Sequence, residues 1–219
     1  MDDVQCDALI CDPPYGARTH NGQSSQREGI AFASWAPEDV SFFVHQWAQR
    51  TRGWMVCLTS HDRIPHYTEA YEAEGRYAFA PVPCIVRGMT CRHTGDGPSS
   101  WAVYALVSRP RKAPWSKWGT LDGAYSVARG DRRYLGGKPL ALMRALVRDY
   151  SREGDLVCDP CGGHATTLAA AFIEGRRSVG CEVEWSPFLA GRDRLDHLVQ
   201  SHGLPANTHA PTGTQVRLF

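Results

Sequence analysis

The chain has 219 residues, a formal net charge of +1 and 42% hydrophobic residues. That length is enough to bury one substantial core, and no run approaches the roughly 20 apolar residues that a membrane span needs. The first residues, Met1-Asp2-Asp3, are acidic and polar, unlike a secretory signal. We therefore expect a cytoplasmic protein with no membrane partner, whose eight cysteines are reduced thiols.

A short apolar run, Ala8–Cys11, is followed by Asp12, Pro13, Pro14 and Tyr15. The carboxylate can accept a hydrogen bond from an exocyclic amino group, and the carbonyl of Pro13 can accept a second, because prolines leave the backbone with acceptors only. The tyrosine ring can stack on a planar base. An ordinary strand-to-loop exit has the same residue types, so a catalytic interpretation depends on finding a cofactor site elsewhere in the chain.

A polar segment, residues 16–36, comes next and includes Arg18 and His20. It is too long for an ordinary connection between two elements. Two interpretations stay open, a mobile lid that closes over a bound base and a disordered surface loop.

Regular elements are predicted to follow. Apolar patterns and glycine stops predict helices at Pro37–Gln49 and Ile64–Gly75, and strands at Met55–Thr59, Tyr77–Val86 and Trp101–Val107. Pro81 and Pro83 lack an N–H, so we expect the strand that contains them to be bent or to lie at an edge of the sheet.

Positive charge is concentrated between residues 84 and 138. This segment has ten Lys/Arg and three Asp, a balance of +7 in a chain whose total is +1, and aromatic residues are interleaved with the basic ones. Such a mixture suits phosphate contacts and base stacking, although a basic surface loop beside a core strand has the same composition.

The segment 138–184 contains a second set of signals. Lys138 and Pro139 precede an amphipathic helix that ends near Tyr150, with apolar residues at spacings of three and four. Residues 154–184 then predict a strand, a glycine loop, a helix, a turn and a strand. Asp159 ends the first of these strands and Glu182 the second, and an acidic residue at the second position commonly accepts a ribose hydroxyl.

Together these motifs resemble those of the amino-methylating DNA methyltransferases, which act on adenine N6 or cytosine N4. Asp12-Pro13-Pro14-Tyr15 resembles their catalytic motif, and residues 159–167 resemble their S-adenosylmethionine loop. The usual loop pattern is Asp-Pro-Phe-x-Gly-Ser-Gly-Thr-Thr, from which Cys161, His164 and Ala165 depart. We expect Ala165 to begin the helix, where alanine is favourable, rather than to adopt a positive φ.

The resemblance implies roles for individual residues and requires no metal. The implied catalytic residues are Asp12, Pro13, Pro14 and Tyr15. The implied cofactor residues are Cys11, Asp12, Lys138, Pro139, Asp159, Cys161, Gly162, Gly163, His164, Ala165, Thr166, Thr167, Glu182 and Val183. The candidate DNA contacts are Arg18, His20, Arg111, Lys112, Lys117, Arg129, Arg132 and Arg133.

The order of the motifs resembles the β group of the family, a circular permutation in which the catalytic motif precedes the cofactor motif. The implied fold is a Rossmann-like α/β sheet forming one methyltransferase domain, residues 1–202, with a target-recognition insert at about 109–135 and a tail at 203–219. Family members usually carry a further strand before the catalytic one. Either the tail supplies that strand or the sheet is one strand shorter.

The implied reaction is methyl transfer to adenine N6 in double-stranded DNA after base flipping. Cytosine N4 is the nearest alternative. RNA or protein amide methylation goes with an Asn-Pro-Pro-Tyr variant, which Asp12 argues against. The changes at Cys161, His164 and Ala165 also allow an inactive DNA-binding relic, whereas the intact Asp12 and Tyr15 favour activity.

Two further partners are implied. Enzymes of the β group are often dimers, so we expect a homodimer. The end of the chain, Gln215–Phe219, resembles the peptide by which bacterial replication proteins bind the sliding clamp, but it could equally dock on its own domain.

Overall fold

The computed structural model describes residues 1, 3–16, 34–88, 98, 100–112, 118–130, 137–202 and the backbone of 216–218. These residues form one mixed sheet and five α-helices. The strands are β1 Ala8–Cys11, β2 Met55–Thr59, β3 Arg76–Ala78, β4 Val82–Arg87, β5 Ala102–Pro110, β6 Tyr125–Ala128, β7 Leu156–Asp159, β8 Arg177–Gly180 and β9 Val216–Leu218. The helices are α1 Pro37–Ala48, α2 Ile64–Ala73, α3 Leu140–Tyr150, α4 Thr166–Ile173 and α5 Trp185–Ser201.

The sheet has the strand order β6-β4-β5-β2-β1-β7-β8-β9, and β3 pairs with β5. Strand β5 is antiparallel to its neighbours β2, β3 and β4, while all the other pairs are parallel. Most strands therefore end at the same side of the sheet. We call this side the carboxyl edge, marked by Cys11, Thr59, Arg87, Asp159 and Gly180, and the opposite side the amino edge, marked by Ala8, Met55, Leu156 and Arg177.

The central strands are apolar because both faces of the sheet are covered. Every residue of β1 and β2 is buried, as expected for parallel strands between two helical layers. Helices α1 and α2 pack on the face that carries Leu9 and Met55. Helices α3 and α4 pack on the face that carries Ile10 and Val56. The predicted apolar face of α3 is confirmed, since Met143, Leu146, Val147 and Tyr150 are buried and Leu140 is half-buried.

The strand predicted at Tyr77–Val86 is divided. Strands β3 and β4 follow one another along β5, but the pairing shifts by one residue between Ala78↔Ser108 and Val82↔Ala105. This shift is a bulge next to Pro81, which cannot donate to the ladder. The expected bend is thus present. Strand β4 is not an outermost strand of the sheet, however, because β6 pairs with its other side.

The tail contributes a strand to the sheet. Strand β9 pairs in parallel with β8, from Ser178↔Val216 to Gly180↔Leu218. Of the two possibilities left open by the sequence, the tail therefore supplies the additional strand. Gln215 and Phe219 lie outside the described residues. None of the described helices combines the length and the apolar composition that a bilayer crossing requires.

Candidate active site

Three predicted site residues meet at the carboxyl end of β1. The Tyr15 hydroxyl donates to Oδ1 of Asp12 at 2.8 Å, and Nζ of Lys138 donates to Oδ2 at 2.5 Å. The same ammonium lies 4.9 Å from the centroid of the Tyr15 ring. The sequence separates Lys138 from Asp12 by more than a hundred residues, and the structure brings the two predicted groups into direct contact.

The surroundings fix the charge state of the tyrosine. Burial, followed by the charge of Asp12, holds the pKa of the Tyr15 phenol well above its usual value. The phenol is therefore a neutral donor towards the carboxylate. Pro13 is buried and Pro139 is buried at the start of α3, so the backbone on both sides of the ion pair is held by packing.

A second carboxylate, Asp159, stands at the end of β7, the strand that pairs directly with β1 in the sheet. Asp159 is buried, and the backbone N–H of Cys161 donates to its Oδ1 at 3.0 Å. Burial raises the pKa of Asp159 to about 7, the nearby charges of Asp12 and Glu182 act in the same direction, and a hydrogen bond from Thr167 partly opposes them. Asp159 is therefore poised to gain or lose a proton near neutral pH.

The glycine loop holds the third carboxylate. Gly163, whose φ is +49°, directs its N–H to Oε2 of Glu182 at 2.7 Å, and the N–H of Glu184 donates to Oε1 at 2.9 Å. The loop is also tied to the end of β8, because the N–H of Gly162 donates to the carbonyl of Cys181 at 2.8 Å. Glu182 is thus fixed by the backbone at the tip of β8, and Val183 after it is exposed.

The expectation for Ala165 was wrong. Its φ is +56°, in the left-handed region, and it is the N-cap residue that precedes α4. The loop requires this turn because the N–H of Ala165 donates back to the carbonyl of Gly162 at 2.7 Å. The methyl group is accommodated by Gly191 of α5, where an added Cβ would lie 3.2 Å from the Cβ of Ala165. Left-handed backbone costs an alanine roughly 1–2 kcal/mol.

Helix α5 adds a residue that the sequence analysis missed. Nη1 of Arg194 donates to the Thr166 hydroxyl at 2.9 Å and to the carbonyl of His164 at 3.3 Å. Burial, and then the charge of Arg194, lowers the pKa of His164. An arginine inside a helix has no sequence signal that links it to a loop almost thirty residues earlier, so only the fold could show this contact.

The predicted DNA contacts are divided between the two edges. Arg129 follows β6 at the carboxyl edge, where its N–H donates to the carbonyl of Arg87 at 2.9 Å. Arg111 and Lys112 follow β5, which runs in the opposite direction, so they lie at the amino edge, and the Arg111 guanidinium lies 5.7 Å from the Tyr77 ring centroid. The other candidates lie outside the described residues, namely Arg18, His20, Lys117, Arg132 and Arg133.

A mixed α/β sheet with a glycine loop after β7, and with carboxylates at the ends of β1, β7 and β8, fits a methyltransferase that uses S-adenosylmethionine. Solved structures share this fold. The M1.HpyAVI–SAM complex aligns over 88% of this chain and 90% of its own, with a TM-score of 0.68 and 21% identity. The cytosine-N4-specific PvuII DNA methyltransferase aligns over 92% of this chain and 86% of its own, with a TM-score of 0.66 and 11% identity.

Sequence comparison points to the same class of protein. A family model described as DNA methylase, of the N6/N4 type, matches residues 97–188. The DNA adenine methyltransferase YhdJ of Escherichia coli strain K12 is 40% identical over 65 residues, which are 30% of this chain and 21% of that protein. These matches support an amino-methylating DNA methyltransferase that uses S-adenosylmethionine as its methyl donor. The predicted similarity to the N6/N4 DNA methyltransferases and the predicted α/β methyltransferase fold are confirmed, whereas the circular permutation stays a prediction.

Proposed function

We propose that the protein methylates the N6 amino group of adenine in double-stranded DNA, and that the target base leaves the helix to reach Asp12. The observation that carries this proposal is the convergence of Tyr15 and Lys138 on Asp12 at the end of a buried strand. This arrangement provides a carboxylate acceptor, an aromatic ring and a cation that orients the carboxylate.

The residues around Asp12 perform the positioning. The amino group of the base replaces the Tyr15 hydroxyl on Oδ1, and its second proton bonds to the carbonyl of Pro13. Lys138 stays on Oδ2 and holds the carboxylate in place. Tyr15, released from Asp12, stacks on the base beside Pro14. Two acceptors in this geometry draw the nitrogen lone pair out of conjugation with the ring, and holding the reacting atoms in place supplies much of the rate enhancement.

The residues at the ends of β7 and β8 fit S-adenosylmethionine. This cofactor, when bound, supplies an electrophilic methyl group on a sulfonium. Glu182 retains acceptor capacity for the ribose hydroxyls beyond its two backbone donors, and Val183 and Cys161 offer apolar contacts to the adenine. Asp159 and the loop from Gly162 to Thr167 surround the cationic methionine end, together with Cys11, Lys138 and Pro139.

DNA is expected to approach the carboxyl edge, because a flipped base extends only a short way from its duplex. Arg129 lies at this edge and is proposed to contact a phosphate, and Arg18 and His20 follow Tyr15 closely in the chain. Arg111 and Lys112 lie at the amino edge, on the opposite side of the sheet from the carboxyl edge that carries Asp12. We also propose that the order of motifs reflects the permuted β group. The homodimer, the recognition insert at 109–135, the clamp contact through Gln215–Phe219 and the cytoplasmic location stay predictions.

The test is methylation of mixed-sequence duplex DNA with labelled S-adenosylmethionine, followed by mass spectrometry of the nucleosides. We expect N6-methyladenine from the wild type and none from Asp12→Ala. N4-methylcytosine in its place would keep the mechanism and overturn the choice of base. No product from a folded wild type that also fails to bind the cofactor would identify an inactive relic.

A further inference from the structure

Arg63 links the catalytic segment to the helical layer next to it. This arginine ends a short 3-10 helix, His61–Arg63, between β2 and α2. Its Nη2 donates to the carbonyl of Trp35 at 2.7 Å, and the N–H of Trp35 donates to the carbonyl of Tyr15 at 3.1 Å. The backbone of the catalytic tyrosine is therefore joined to Arg63 through a single intervening residue.

Gly16 provides a second, independent contact with the same guanidinium. A Cβ added to this glycine would lie 2.5 Å from Nη2, 2.6 Å from Nε and 2.8 Å from Cζ of Arg63. These distances are shorter than any van der Waals contact, so the guanidinium occupies the space that a side chain at position 16 would fill. Gly16 is buried, and its φ is not in the left-handed region. Space, rather than backbone conformation, therefore accounts for a glycine directly after Tyr15.

A further contact to the Arg63 guanidinium comes from Asp62. The carboxylate of Asp62 lies 3.9 Å from Nε, and it is itself oriented by the Ser60 hydroxyl at 2.5 Å. Only 15% of the Arg63 side chain is exposed, and its Nε finds no hydrogen-bond acceptor among the described residues. Leaving a buried donor unpaired costs stability, so the side chain is held by its Nη2 hydrogen bond to Trp35 and by its packing against Gly16.

Trp35 is anchored as well. Its ring packs against Phe43 of α1 with the centroids 5.1 Å apart. Arg63 thus closes a path from α1 through Trp35 to Tyr15, while Lys138 approaches the same tyrosine from the other face of the sheet. A side chain that is tied on both sides can keep one orientation relative to Asp12.

We infer that Arg63 is a positioning residue, which holds the Tyr15–Gly16 backbone against Trp35 so that the Tyr15 ring is placed for stacking on the target base. The inference rests on the proposed function, because it assigns Arg63 a purpose in that reaction. Within the described residues no hydrogen bond or ion pair joins Arg63 to Asp12 or Lys138, so we assign its effect to Tyr15, Gly16 and Trp35.

The first experiment compares Arg63→Ala, Arg63→Lys and, as a matched control, Arg52→Ala at the amino edge. We expect Arg63→Ala to lower kcat by on the order of 100-fold, the size of effect that misplaced reacting groups produce. The Kd for S-adenosylmethionine should change less than about twofold, because the glycine loop and Glu182 are held by contacts that do not involve Arg63. Arg63→Lys restores part of the rate because one donor remains. Unchanged kcat in Arg63→Ala, or an equal loss in Arg52→Ala, would overturn the inference.

The second experiment is a double-mutant cycle with Gly16→Ala. In the wild type, the added methyl displaces the guanidinium and lowers kcat. In the Arg63→Ala background the space is empty, so the same methyl has little further effect. Coupled residues deviate from additivity in this way. Equal effects of Gly16→Ala in both backgrounds would show that Gly16 and Arg63 are independent and would contradict the inference.

A readout that needs no catalysis separates this inference from the proposed function. Hydrogen exchange at the Trp35 amide should accelerate about tenfold in Arg63→Ala, the effect of losing the charged hydrogen bond that Arg63 donates to the carbonyl of the same residue, and should not change in Arg52→Ala. If the wild type methylates no DNA, the proposed function fails, while the exchange rates still decide whether Arg63 holds this segment. Unchanged exchange at Trp35 would overturn the positioning role even in an active enzyme.

Discussion

The two edges of the sheet differ in the charged groups they carry and in how those groups are paired. At the amino edge, buried Arg76 donates to the carbonyl oxygens of Ala48, Thr51, Gly53 and Ser108. At the carboxyl edge, three carboxylates lie close enough together for Asp12 and Glu182 to help raise the pKa of Asp159. At the amino edge, the buried guanidinium of Arg76 and these carbonyl groups therefore satisfy each other's hydrogen bonds within the fold. The carboxyl edge retains negative charge that a cationic ligand can complement.

Aromatic rings show the same difference. At the amino edge, Arg152 lies 3.7 Å from the centroid of Trp118, which packs edge-on against Trp54 at 5.5 Å. At the carboxyl edge, the Tyr15 hydroxyl donates a hydrogen bond to Asp12, the carboxylate proposed to bind the amino group of the substrate. A stacked pair that is complete within the fold contributes to stability, whereas a ring bonded to a reactive group can exchange that bond for a ligand.

The largest expected effect compares the two ends of strand β1. Asp12→Asn removes the charge that Lys138 pairs with and weakens an acceptor for the amino group, so we expect methyl transfer to fall by on the order of 1000-fold. Asp7→Asn is the matched control at the amino edge, where Asp7 accepts from the N–H of Leu156 at 2.8 Å and from Arg52 at 3.2 Å. It should cost on the order of 1 kcal/mol of stability and leave kcat unchanged.

Single-turnover methylation and urea unfolding of both variants measure this pair. A large loss of kcat in Asp7→Asn at full folding would show that the two edges are not functionally separate.

The next effect concerns pH. The pKa of Asp159 is raised to about 7, so between its ordinary value near 4 and about 7 the folded state binds more protons than the unfolded state. The stability contributed by Asp159 is therefore lost as the pH rises through this window. A cationic ligand favours the ionised carboxylate, so affinity for S-adenosylmethionine should change in the opposite sense and weaken by up to about tenfold per pH unit below about 7.

Calorimetric titration from pH 5.5 to 8.5 tests this dependence. S-adenosylhomocysteine, which lacks the sulfonium charge, should show a shallower slope, and Asp159→Asn should remove the difference between the two ligands. Identical slopes for both ligands in the wild type would contradict the role given to Asp159.

A smaller effect is expected from a comparison of Arg129 and Arg111, which the sequence predicted equally as DNA contacts. If DNA binds along the carboxyl edge, Arg129→Ala should raise the Kd for duplex DNA about tenfold and reduce the salt dependence by about one counterion. Arg111→Ala should change neither, because Arg111 lies at the amino edge beside Tyr77. Fluorescence anisotropy at several salt concentrations gives both quantities, and a larger effect for Arg111→Ala would place DNA on the other edge.

The smallest effect is expected at Ala165. Replacement by glycine relieves left-handed backbone worth roughly 1–2 kcal/mol but removes a buried methyl worth about 0.8 kcal/mol. The free energy of unfolding should therefore change by less than about 1 kcal/mol. Ala169→Gly, in the interior of the same helix, gains no such relief and should destabilise by on the order of 1–2 kcal/mol. Thermal unfolding of the two variants checks the contrast.

Local patterns identified the parts of the site that are continuous in sequence. Asp12 after an apolar run, and Asp159 before two glycines, are each placed by their own strand and loop, so the sequence predicted both. The tail strand was one of two open possibilities, because pairing between β8 and β9 leaves no local pattern beyond a short run of residues.

What the sequence did not predict depends on directions and contacts between distant segments. The antiparallel course of β5 carries Arg111 away from Asp12, although the charge count placed it with Arg129. The positive φ of Ala165 follows from how the loop closes against Gly191, which belongs to another helix. Arg63 carries no local sequence signal for its role, because only the fold places its guanidinium beside Gly16.

The position of β1 also has a consequence for how the chain acquires its structure. Its partner on one side, β2, comes about 45 residues later, whereas on the other side Ala8 pairs with Val157 of β7. Contacts between such distant segments slow folding because a long loop must close before they form. Until β7 docks, the apolar strand that carries the catalytic carboxylate has an open side, and partly folded chains at this stage are exposed to intermolecular strand pairing. Refolding yields should therefore depend strongly on protein concentration.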